Sequence, residues 1–103
     1  MGKRIMRKSK KIYIAGKVSG LTYDIAYQNF LNAETDLKSQ GDTINPLRIC
    51  KSHWSWLRCM IVCVWNLTMK CDRIYLLNNW NQSRGARIEV WFAILFGKEV
   101  LNS

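Results

Sequence analysis

Residues 71–97 constrain the fold of this chain more than any other stretch. Residues 73–77, Arg-Ile-Tyr-Leu-Leu, read as a buried strand, a polar loop follows, and a helix opens at Ser83. Over residues 88–97 that helix is apolar on nearly every side, so it should be buried, and Glu89 is its only ionisable group. On a helix Gly85, Ala86, Glu89 and Ala93 share one face at i, i+3/i+4 spacing, so small residues flank the acid and leave room above it. That is the shape of a substrate slot.

The remainder of the chain reads as support for this unit. Lys11-Ile12-Tyr13-Ile14-Ala15-Gly16 predicts a first buried strand ending in a glycine turn, where Gly16 and Gly20 would let backbone approach a ligand. This turn is neither a dinucleotide fingerprint nor a P-loop. From Thr22 or Tyr23 to Gln40, the apolar positions Ile25, Ala26, Phe30, Ala33 and Leu37 predict an amphipathic helix stopped by Gly41. Its acids Asp24, Glu34 and Asp36 are assigned to the solvated side. Residues 42–45 predict a short strand closed by Pro46, residues 47–52 a loop or a turn of helix, and residues 54–70 a longer helix. Gly97 stops the Glu89 helix, and residues 99–101 offer a last strand. The order β-α-β-α-β-α-β predicts an α/β fold: a small doubly wound, Rossmann-like or flavodoxin-like parallel sheet of about four strands, with right-handed crossovers and helices on both faces. Ligands in such sheets sit beyond the carboxyl ends of the strands, which gathers the Gly16 turn, the loop around Trp80 and the start of the last helix at one crevice.

At 103 residues, 49% of them apolar, the chain suits one ordered domain over residues 11–103. The net charge of +9 is concentrated at the start, where Lys3, Arg4, Arg7, Lys8, Lys10 and Lys11 are six of the 16 basic residues; residues 1–10 read as a basic flexible tail. No helix-turn-helix or RNP-like motif accompanies that charge, so a nucleic-acid partner is not expected, and the mild remaining field suits small anionic substrates. No apolar run is long enough for a membrane span and no signal peptide is visible, which predicts a cytoplasmic protein. The positions of Cys50, His53, Cys59, Cys63 and Cys71 match no common structural zinc pattern. They are read as reduced, buried cysteines and a surface or packing histidine, with no metal and no cofactor.

Ser83 is placed to cap the Glu89 helix, and its hydroxyl with the first-turn amides of Arg84 and Gly85 would seat an anion, to which Arg84 and Arg87 could add charge. Tyr13-Ile14-Ala15-Gly16, Asn45-Pro46, Cys71-Asp72-Arg73-Ile74-Tyr75-Leu76-Leu77, Trp80, and Ser83-Arg84-Gly85-Ala86-Arg87-Ile88-Glu89 with Ala93 and Gly97 behind it resemble the nucleoside 2-deoxyribosyltransferase-like superfamily. They are most similar to a small bacterial and phage branch of unassigned function. The resemblance implies that Glu89 is a nucleophile that attacks the anomeric carbon of deoxyribose and expels the base. A serine six residues before that glutamate, as Ser83 is here, resembles the deoxynucleoside 5′-monophosphate N-glycosidases, where it binds phosphate. The implied site is Glu89 as catalytic residue, Ser83, Arg84 and Gly85 at the phosphate, and Tyr13, Gly16, Lys17 and Trp80 lining the pocket. Relatives carry an acidic residue on the helix before the third strand; counting back from Cys71 puts Val64 there, with Cys63 adjacent.

The resemblance also implies a homodimer or larger homo-oligomer, which the surplus of Trp54, Trp56, Trp65 and Trp91 fits. Two other functions compete with glycosidic chemistry on a nucleotide or nucleoside: a non-catalytic nucleotide-binding module of the same fold, and a basic nucleic-acid-associated protein acting through the tail.

Overall fold

In the computed structural model, which describes residues 11–102, the sheet has four parallel strands, the second along the chain at one edge, followed by the first, the third and the fourth. Along the chain run β1 (Lys11–Ala15), α1 (Tyr23–Leu37), β2 (Thr43–Ile44), α2 (Pro46–Ile49), α3 (Trp56–Lys70), β3 (Cys71–Leu76), a 3-10 turn (Trp80–Gln82), α4 (Arg84–Leu95) and β4 (Glu99–Asn102). The anticipated doubly wound parallel sheet is therefore present, and of the two readings offered for residues 47–52 the turn of helix forms, as α2, ahead of the long helix. The basic tail falls outside the described residues. Among the described residues, no helix is long and apolar enough to cross a membrane.

The two faces of the sheet follow from strand alternation. Ile12 and Ile14 of β1 pack with Tyr75 and Leu77 against Phe30, Ala33 and Leu37 of α1. Tyr13 and Ala15 point the other way, packing with Ile74 and Leu76 against Cys63 and Leu67 of α3 and Ala86, Val90 and Ala93 of α4. One helix covers the first face and two cover the second, so β1 is buried on both sides, as its unbroken apolar run requires.

Local chemistry sets the element ends. Thr22 caps α1 through the amide of Ile25, and Ser55 caps α3 through that of Arg58. Gly97, at φ 73°, ends α4: its amide donates to Ile94 and that of Lys98 to Ala93, a Schellman closure that requires the left-handed region. Asn45 is buried at the corner between β2 and α2; its Oδ1 caps Leu47 and its Nδ2 donates to Glu34 at 3.0 Å.

Two assignments on α1 are corrected. Glu34 is not merely solvated: its carboxylate takes two hydrogen bonds from Arg48, at 2.7 and 2.8 Å, as well as that of Asn45. The Arg48 bonds hold its pKa below the ordinary carboxylate value. Ile25 is exposed, because the buried stripe is Ala26, Phe30, Ala33 and Leu37, and Ile25 lies one residue, about 100° of helix, away from it.

Candidate active site

The strand order reverses between β1 and β3, and a cavity of about 210 Å³ opens beyond their carboxyl ends. Gly16, immediately after β1, lines it together with Ser83, Gly85, Ala86 and Glu89 from the start of α4. The volume is below the roughly 300–1,000 Å³ of sites that enclose a whole small molecule.

Glu89 is only 5% exposed. The Tyr13 hydroxyl, wholly buried beneath the cavity on β1, donates to Glu89 Oε2 at 2.5 Å. Burial pushes the Glu89 carboxyl up to about 8, and the Tyr13 hydrogen bond pulls against that shift by favouring the charged form. Burial, with the neighbouring Glu89 charge next, holds the Tyr13 phenol well above its usual value, so it stays protonated and available as a donor.

Ser83 caps α4 by accepting from the Ala86 amide at 3.1 Å, and it also lines the cavity. The amides of Arg84 and Gly85 belong to the first turn, where a helix supplies no partner of its own. At Gly85 an added Cβ would lie 3.2 Å from Met60 Sδ and 3.8 Å from Trp56 Nε1, so glycine keeps the α4 start open against α3.

Of the other residues expected at the site, Gly16 lines this cavity, and Arg84, Lys17 and Trp80 do not. Arg84 is exposed and its guanidinium stacks 4.8 Å from the Trp56 ring, outside the cavity wall. Lys17 donates its backbone amide to Asn79 Oδ1 at 2.9 Å, which ties the first turn to the loop after β3, and its ammonium group lies 3.5 Å from Gln82 Oε1. Trp80 packs on the α3/α4 side of the core and lines a separate small hollow with Asn78 and Asn102. Gly16 does line the cavity, but packing is what demands glycine there, because a Cβ would fall 2.4 Å from Leu77 Cδ1.

Several wall residues come from α2 and α3, among them Trp56, Met60 and three cysteines. Cys63, not Val64, faces the site: it is buried in the core cluster with Tyr13, and its thiol is pushed up to about 11 by burial. Val64 lies one residue further round and lines an outer groove with Ile61 and Trp65. The reading of four reduced cysteines is also corrected. The turn between α2 and α3 brings Cys50 and Cys59 together as a disulfide with a Cα separation of 5.5 Å, while Cys63 and Cys71 are free and buried. His53 is exposed.

In a structure comparison the chain resembles a protein titled "2-desoxiribosyltransferase from Leishmania mexicana", with a TM-score of 0.63 and 24% identity over 90% of this chain. The chain spans 63% of the length of that protein, and the likeness is one of fold. No curated protein matches the sequence. A family model described as "Domain of unknown function (DUF4406)" matches residues 10–102, nearly the whole chain, and the chain therefore belongs to the DUF4406 family.

Proposed function

We propose that the protein cleaves or exchanges the N-glycosidic bond of a deoxynucleoside or deoxynucleoside 5′-monophosphate, with Glu89 as nucleophile. The observation that carries this reading is a single buried carboxyl, held by the Tyr13 hydroxyl, in the wall of a sugar-sized cavity at the switch point of the sheet. In this reading a Glu89 oxygen bonds to C1′ as the C1′–N bond breaks; the base leaves with that electron pair and takes a proton from water. Water or a second base then displaces the ester, returning the carboxylate. The first-turn amides of Arg84 and Gly85, beside the Ser83 hydroxyl, provide donors for a 5′-phosphate at the mouth. Arg84 stacks on Trp56, which is itself part of the cavity wall.

A second reading, a nucleotide-binding module without turnover, is favoured by Cys63: a thiol, where an acid would protonate the leaving base, is a poor proton donor to it. Base release, followed by chromatography from a panel of deoxynucleosides and their 5′-monophosphates, separates the two. Release that is lost in Glu89→Gln supports the enzyme. Calorimetric binding with no release over hours supports the module and removes the nucleophile from the reading.

We also infer that a second copy of the chain packs over α3 and α4. Leu57, Ile61, Trp65 and Met69 form an exposed i, i+4 stripe on α3, and Trp91, Ile94 and Leu95 are exposed on α4. The groove there shares Trp56 and Met60 with the Glu89 cavity, so a copy seated in it would also wall the cavity mouth.

A further inference from the structure

The cavity that holds Glu89 is also lined by Cys50, Cys59 and Cys63. Cys50 ends α2, and Cys59 and Cys63 lie one turn apart on α3, so the α2/α3 corner directs three sulfurs to one place. All three Sγ atoms lie within 4.8 Å of one another. Cys63 Sγ is 3.5 Å from Cys50 Sγ and 3.9 Å from Cys59 Sγ, and the third edge of the triangle is the Cys50–Cys59 disulfide. Two thiolates on one tetrahedral Zn²⁺, with Zn–S bonds of about 2.3 Å, sit about 3.8 Å apart, and the two open edges bracket that separation. Sulfur ligands select a thiophilic cation over magnesium or calcium. Three protein ligands, in place of the four of a closed structural site, leave one position free on the ion.

We propose that Cys50, Cys59 and Cys63, once the disulfide is reduced, form a three-thiolate site for Zn²⁺ whose fourth position belongs to the cavity they line. Reduction transfers two electrons and two protons from a dithiol, itself oxidised to a disulfide, to the Cys50 and Cys59 sulfurs. The ion then displaces the three thiol protons to solvent as three S–Zn bonds form. Disulfide and metal are alternative states of one site, since sulfurs bonded to each other cannot both bind the ion as thiolates. The Cys71 thiol, at the start of β3, lies outside the group.

The inference rests on the sulfur geometry and not on the glycosidic reading, and its test does not use base release. Full-length protein is reduced with a phosphine, which becomes a phosphine oxide, then cleared of the reductant and titrated anaerobically with Co²⁺ and afterwards Zn²⁺. The reduced chain takes up one Co²⁺ with thiolate-to-cobalt charge-transfer absorption and tetrahedral ligand-field bands, and one equivalent of Zn²⁺ abolishes both. Cys63→Ser and, at a less buried position, Cys59→Ser each weaken uptake at least tenfold, whereas Cys71→Ser leaves it unchanged, with circular dichroism verifying each fold. Absence of the charge-transfer band in the reduced chain overturns the proposal. So does a band of undiminished strength in both folded cluster variants, or equal uptake by the disulfide form.

Discussion

Burial and one hydrogen bond act on Glu89 in opposite directions, and both effects can be measured. A nucleophile must be the carboxylate, but burial raises the Glu89 pKa from 4.5 to about 8, so the free protein at pH 7 holds mostly the acid. For the proposed reaction, kcat/KM should climb about tenfold per pH unit below pH 8 and level off above it. Tyr13→Phe deletes a contact that favours the charge, so the rising limb moves to higher pH. A profile flat from pH 6 to 9 would exclude Glu89 as the titrating nucleophile. The same shift sets a stability trend. Between pH 4.5 and 8 the native chain keeps a proton that the unfolded chain gives up, so Glu89 lowers stability as pH rises, by at most about 1.4 kcal/mol per pH unit. Below that window both states are protonated and the contribution vanishes. Glu89→Gln removes this trend while keeping an acceptor for Tyr13. Thermal melts should nearly coincide at pH 5 and favour the variant at pH 8.5 by about 5 °C or more.

At the scale of elements, the close contact between the β1 turn and the end of β3 makes a further prediction. Gly16→Ala drives a methyl group into Leu77, whose Cγ would lie 2.8 Å away, so the variant should lose about 1–3 kcal/mol in denaturant melts. Truncating the obstacle should relieve much of that cost: added to Leu77→Ala, whose remaining Cβ still lies 3.0 Å away, the same substitution should cost clearly less than in the wild-type chain, a coupling that a double-mutant cycle reads directly. The β2/α2 corner depends instead on polar pairing. Glu34→Ala leaves the buried Asn45 amide without its acceptor and should cost about 1–2 kcal/mol at neutral pH. Because the Glu34 pKa is lowered in the fold, its contribution is present above the unfolded value and lost as pH falls, so the two melts converge in acid. These elements also separate what was legible in the sequence from what was not. Ser83 and Gly97 punctuate α4 through bonds that reach at most five residues, and strand alternation is equally local, so the α4 boundaries and the sheet could be read directly. Cys63 and Val64 differ by one residue, about 100° on α3, and only the packing of that helix on Tyr13 decides which faces Glu89. The disulfide was hidden for a related reason: Cys50 and Cys59 meet because α2 turns back onto α3, a tertiary fact with no periodicity to announce it.

For the whole molecule the question is what covers the apolar face of α3 and α4. Trp65 and Trp91 are 55% and 60% exposed and Ile61 and Ile94 are 61% and 65%, on two helices whose opposite sides already supply the core. Monomers rarely leave so many large apolar side chains on one contiguous face, and a symmetric dimer buries such a patch against its own copy. Light scattering at micromolar concentration should therefore give at least twice the 12.1 kDa chain mass. Trp65→Glu, at a position with no role in the core, should shift that mass to the monomer while circular dichroism stays unchanged. In the proposed dimer the cavity would tie assembly to function: Trp56 and Met60 belong both to its wall and to the outer groove, so dissociation would open the mouth to water. If the substrate is held partly by that mouth, the monomeric variant should raise KM at least tenfold while Glu89 and Tyr13 remain in place. A wild-type chain that runs as a monomer would place the apolar face against some other partner. A dimer whose dissociation leaves KM unchanged would separate assembly from the site.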